Sequence, residues 1–133
     1  MEAIALPHSV LSWLALLAGA ATALKFALAS HRRAGITSTD RTLVVTFVGV
    51  MDVQAVLGMA VFWGNDEGLA AAFESAVDML SHAVLMLFAL LAAHAAARWS
   101  KSPAKFRHTL AATVLALLFV LAGILEPPHG WFA

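Results

Sequence analysis

Residues 30–41 read SHRRAGITSTDR, and residues 98–107 read RWSKSPAKFR. With Lys25 just ahead of the first, these stretches hold all eight Lys and Arg residues of the chain. Around them lie four long apolar runs. A third polar segment, residues 64–75, carries Asn65, Asp66, Glu67 and Glu74 but no Lys or Arg. Short loops rich in Lys and Arg stay on the cytoplasmic side of a membrane. The charge pattern therefore predicts loops 31–41 and 100–107 inside. The two termini and loop 64–75 fall outside. Each apolar run approaches the ~20 residues that span the hydrocarbon core.

The expected fold is all-α: an integral-membrane, up-down four-helix bundle with both termini out. Its helices cover about residues 7–30, 42–63, 76–99 and 106–125, in one transmembrane domain of 133 residues. Short loops force neighbouring helices to run antiparallel. Composition agrees, at 62% apolar and 12% charged residues, against roughly a quarter charged in soluble domains. Net charge is zero, so nothing suggests nucleic acid as a partner. The absence of cysteine excludes disulfides, thiolate clusters and covalent c-type haem attachment. The segment before Pro7 lacks the basic residues of a signal peptide, so the first run reads as a retained helix. A bacterial inner membrane is the expected location, with the bilayer and other membrane subunits or further copies of the chain as partners.

Landmarks within the runs refine this picture. Pro7 suits a first helical turn. Lys25 is placed to snorkel toward the headgroups. Ala15, Gly19, Ala23 and Ala27 recur every fourth residue, a small-residue stripe for close helix contact; Ala89, Ala93 and Ala97 form another. Asp40 reads as the N-cap of the second helix. Residues 69–73 form either a short interfacial helix or an outward extension of the third. Trp13, Trp63 and Trp131 lie toward the outer interface and Trp99 toward the inner, as an aromatic belt does.

The orientation turns six histidines into a depth map. His8 and His82 fall in the outer half, on helices that run parallel. His94 lies toward the inner end of the third helix. His31, His108 and His129 lie in loops or the tail. A b-type haem needs two strong axial ligands from facing helices, and neutral imidazole is a good ligand for iron. His8 and His82 are the candidate pair. Met86, one turn below His82, packs the ring edge or acts as a weaker ligand. His94, twelve residues beyond His82 and roughly 18 Å along the axis, would serve a second haem only with His108. The plainer reading stands beside this one: histidines that hydrogen-bond between helices or sit at the interface. A magnesium-bound chlorophyll, a copper site or a quinone hydrogen bond also remain open.

Asp52 lies eleven residues from both Arg41 and Trp63, near the bilayer midplane. A carboxylate there costs ~3 kcal/mol or more on insertion scales, so it is expected to face the bundle interior. Thr22 and Ser81 are candidate partners. Its functional readings are a proton relay, a quinone contact or support for a ligand histidine. Gln54, two positions on, faces elsewhere and is expected to bond a third helix. Asp78, one turn before His82, is placed to orient that imidazole.

Three short stretches carry a resemblance. They are His8-Ser9-Val10-Leu11-Ser12-Trp13, Asp52-Val53-Gln54-Ala55-Val56-Leu57-Gly58 and His82-Ala83-Val84-Leu85-Met86. In this the chain resembles the small four-helix bacterial membrane proteins labelled cytochrome b-like. The resemblance spans most of the chain. It implies His8 and His82 as the important histidines, with Asp52 nearby. Ser12 stands where such proteins usually carry a basic residue, and their aromatic-rich ending is matched only in part by Pro127, Pro128 and Trp131.

Two functions from different classes follow as expectations. One is a haem b electron carrier, with quinone as a further cofactor. The other is a cofactor-free accessory subunit of a respiratory or photosynthetic complex. A transporter built around Asp52 is a third reading, for which four short helices leave little room. No phosphate loop, nucleophile elbow or zinc spacing points to a stand-alone enzyme.

Overall fold

The computed structural model describes the backbone of residues 2–32, 35–63 and 69–125, and the side chains of residues 6–32, 35–61, 63 and 80–125. Among the described residues four helices follow one another: α1 (Glu2–His31), α2 (Ser38–Trp63), α3 (Leu69–Trp99) and α4 (Phe106–Leu125), the last entered through a 3-10 turn at Pro103–Lys105. α1 and α3 each pack against both α2 and α4, which makes α1/α3 and α2/α4 the diagonals of a four-helix bundle. Each helix contains a segment long and apolar enough to cross a membrane, so the chain is a multi-pass membrane protein.

The surface supports this physically. Leu17, Val56, Leu91, Leu118 and many other large apolar side chains point outward on every helix. In water such a continuous apolar surface would be an association site; in a bilayer it meets lipid. The interior combines a few large apolar side chains, Phe26, Phe47 and Met51 among them, with small and polar residues. Thr22, Thr109 and Thr113 are fully buried. Each satisfies its hydroxyl by donating to the carbonyl four residues earlier, at 2.7, 3.0 and 2.8 Å, so none needs an interhelical partner.

The helix ends depart from expectation at several points. α1 starts at Glu2, so Pro7 lies inside it rather than in its first turn. α3 starts at Leu69, the outward extension allowed for residues 69–73. α2 starts at Ser38, and Asp40 is its third helical residue, not its N-cap. Thr37 caps instead. The Asp40 amide donates to Thr37 Oγ1 at 3.2 Å, and the Thr37 amide donates to Asp40 Oδ2 at 2.8 Å. That is a reciprocal capping box with Asp in place of the usual Glu.

The same carboxylate receives Lys25 from α1, Nζ to Oδ1 at 2.9 Å. Lys25 is thus held by an acid on the next helix rather than reaching freely for headgroups. Asp40 is almost fully buried, so its removal strips a helix cap and leaves an unpaired ammonium. Asp40→Ala is expected to destabilise the bundle by about 2 kcal/mol or more, summing a lost cap and a lost charged hydrogen bond. Exposed Arg41→Ala next to it should cost under about 0.5 kcal/mol. Unfolding in denaturing detergent, followed by circular dichroism, measures both.

The Ala15–Ala27 stripe faces the core only in part. Ala15 and Gly19 are buried, Ala23 is half-buried and Ala27 is exposed. A four-residue repeat drifts by about 40° per step on a helix of 3.6 residues per turn. Three steps carry Ala27 out, and Thr22 and Phe26 take over the inward line.

Candidate functional site

The inward face of α2 follows Val44, Phe47, Val48, Met51 and Gln54, all buried. Asp52 lies one residue, about 100°, beyond Met51. It therefore points away from the core, with half of its side chain exposed. This corrects the expectation that Asp52 faces the interior against Thr22 or Ser81. Its partner is His94 of α3, Nε2 to Oδ1 at 2.9 Å, and His94 is exposed to the same extent. The physical reason is that α2 is apolar on all sides. Gln54 takes the inward line, and the acid is left at the α2–α3 edge, where one imidazole satisfies it.

Gln54 is where the interior chemistry begins. It is buried and reaches across to α1. Its Nε2 donates to Ser12 Oγ and lies 3.4 Å from His8 Nε2. Ser12 Oγ in turn donates to the His8 carbonyl at 3.0 Å. A single amide therefore fixes both the His8 ring and the turn that carries it. Gln54 Oε1 is buried with no hydrogen-bond partner among the described residues. A buried amide oxygen left unpaired costs about 1–3 kcal/mol, so this atom marks a place where an added polar group would be welcome.

His8 is buried, only 5% exposed despite lying two residues from the start of the candidate span. Its ring faces that of His82 across the α1/α3 diagonal. The centroids are 6.4 Å apart and the planes are inclined at 69°. His82 Nδ1 lies 2.9 Å from the Gly123 carbonyl oxygen on α4. A carbonyl only accepts, so this contact puts the proton on Nδ1 and the lone pair on Nε2. Histidines that ligate metals are oriented in the same way, by a second-nitrogen hydrogen bond to a carbonyl or carboxylate.

Two glycines make room for these rings. At Gly58 on α2 a Cβ would come 3.1 Å from His8 Cε1. At Gly123 on α4 it would overlap Met86 Cε and lie 3.5 Å from His82 Nδ1. The glycines occupy the second diagonal, so the histidine pair is flanked by residues without side chains on both remaining helices. Met86 packs under Gly123 and closes the site one turn below His82. Gly58 belongs to one of the three stretches that carry the resemblance and so stood out in the sequence. Gly123 did not, because nothing near it on α4 signals a site; its pairing with His82 exists only in three dimensions.

The other expected residues lie elsewhere. His94 is held by Asp52 on the outer surface, and exposed His108 packs edge-on against Trp99, 5.4 Å between centroids. Each has its own neighbour, so the inner pair needed for a second haem is not assembled. Asp52 is likewise no part of the His8–His82 group. The side chain of Asp78, together with His129 and Trp131, lies outside the described residues.

Among the described residues, no three His, Cys, Asp or Glu side chains converge. Two facing imidazoles suit a metal that brings its own equatorial donors better than a bare ion, which takes four or more ligands from protein and water. Two metal–imidazole bonds of about 2 Å, with the half-widths of two rings, put centroids roughly 6 Å apart. The 6.4 Å separation fits such a group. No protein family, no curated protein and no solved structure matches the chain.

Proposed function

We propose that the chain is a membrane b-type cytochrome-like protein that holds one haem between α1 and α3, with His8 and His82 as axial ligands. The facing of these two rings at 6.4 Å across the bundle carries the reading. A b-type haem supplies reversible one-electron transfer at its iron. The protein's part is to hold and tune it. His82 keeps its proton on Nδ1 through the Gly123 carbonyl and offers Nε2 as the donor atom. Gln54 and Ser12 fix His8. A Cβ at Gly58 would crowd the His8 ring and one at Gly123 would meet Met86 and His82, so glycine at both positions is what lets the pair sit where it does.

With the basic loops in the cytoplasm, the site lies near the outer face of a bacterial inner membrane. Electrons would pass there within or beside a respiratory or photosynthetic complex, with a quinone as the lipid-soluble donor class. A cofactor-free accessory subunit is the second reading. It is favoured by one observation: Gln54, Ser12 and His8 already tie α1 to α2 without an added group.

Reduced-minus-oxidised spectra of membranes containing the overexpressed chain separate the two. The first reading predicts the sharp α and β bands of a low-spin, six-coordinate b haem. Membranes no richer in that signal than controls would leave the accessory subunit. Gly123→Leu drives a side chain into Met86 and against His82 and should lower haem retention more than tenfold, the scale of losing support for a metal ligand. Leu118→Ala, on the lipid side of α4, should leave retention unchanged. Haem content per purified chain is the readout for both.

A further inference from the structure

On the opposite side of α2 from Gln54, the Asp52–His94 pair opens to the lipid. Both side chains are half exposed, and both lie inside candidate membrane spans. Ionisable residues within membrane spans almost always face a bundle interior or a cavity. Here hydrocarbon would meet the pair's second oxygen and second nitrogen and could bond neither. One turn before Asp52 on the same face stands Gly49, where a Cβ would touch nothing among the described residues. A glycine inside a helix costs about 1 kcal/mol relative to alanine, and no neighbour within the bundle requires it.

We propose that the face bearing Gly49, Asp52, Leu91 and His94 is the contact surface of a twofold homodimer. The occupant is a second copy because the face is self-complementary. It holds one acid and one base at one level. An axis along the membrane normal keeps that level equal in both copies and places each Asp52 within reach of the partner's His94. A twofold interface uses the same patch on both subunits, so no foreign partner is needed to satisfy the four groups. Gly49 supplies the close approach of α2 to its mate that small residues permit in membranes. The proposal stands independently of haem binding.

The chain has no cysteine, so single-cysteine variants report contacts without background. Val45→Cys and Val56→Cys lie on the proposed face, and Leu118→Cys lies on the lipid side of α4. In native membranes under mild oxidation, the first group should yield disulfide-linked dimer well above the Leu118→Cys level. Adding Asp52→Ala to Val45→Cys should lower the yield about fivefold, the size of an interhelical polar contact. His94→Ala should do the same. Sedimentation of the wild-type protein in detergent should give twice the chain mass. Cross-linking no greater than Leu118→Cys, adducts only with a protein of another mass, or a monomer at every protein-to-detergent ratio overturns the proposal. The cysteine scan in the otherwise wild-type chain decides the matter even if Asp52→Ala disturbs folding.

Discussion

Replacing His82 by alanine is expected to lower the haem content of the purified protein more than tenfold, to the background of a haem-free control. The His82 side chain is only half-buried and, among the described residues, makes one hydrogen bond, to the Gly123 carbonyl, so the bundle should survive the change. His8→Ala should remove the pigment as completely and cost more stability. It vacates a buried position, and the Gln54 amide it leaves behind keeps Ser12 as its one partner among the described residues. His94→Ala and His108→Ala should keep the pigment, because one imidazole sits at the lipid-facing edge with Asp52 and the other packs on Trp99. This contrast separates ligation from a general histidine effect. Full pigment retention in both His8→Ala and His82→Ala would end the haem reading. Loss in all four variants would point to the stability of the membrane domain.

Gly19→Leu is expected to be the most destabilising substitution in the core. A Cβ at this position would already lie 2.5 Å from Leu117 Cδ2 and 2.8 Å from Phe47 Cε2. Phe47 is fully buried and has nowhere to go. Overpacking a filled core costs about 1–3 kcal/mol, occasionally more. Gly19→Ala should fall at the low end, since alanine regains about 1 kcal/mol of helix propensity; Gly19→Leu should reach the top of the range or prevent assembly. Leu117→Ala in the Gly19→Ala background should recover part of the loss, because it removes the nearest clashing atom. Contacting residues couple by about 0.5–3 kcal/mol, so unfolding in denaturing detergent resolves the rescue. Strict additivity of the two changes would mean that α1 and α4 do not meet there.

The spans were legible because length and uniform hydropathy are all a membrane helix requires. The two basic loops were legible because charge cannot be hidden in hydrocarbon. What the residues did not show was which side of each helix faces in. A helix apolar all round carries no amphipathic signal, and the cost of a carboxylate in hydrocarbon alone points Asp52 inward. The spacing held the correct answer in part. Asp52 and Gln54 are two residues apart, so they cannot share a face, and the amide is the one that lies inside. Asp52 and His94 were both recognised as polar within a span. Counted along their helices they fall at different depths, the midplane and the inner half. Their side chains lean toward the N-termini of antiparallel helices, which closes that gap. His8 and His82 were legible from their shared half of the bundle. The Gly123 carbonyl that orients His82 could not be, since a backbone acceptor leaves no trace in a sequence.

The haem content of the wild-type chain tests the central claim most directly. The protein, extracted in mild detergent from cells able to make haem, is assayed as its pyridine haemochrome against protein mass. One b haem per chain, with a low-spin six-coordinate spectrum, is the predicted result. A stable, folded chain with no haem, in both the extracted state and after addition of haemin, would contradict it.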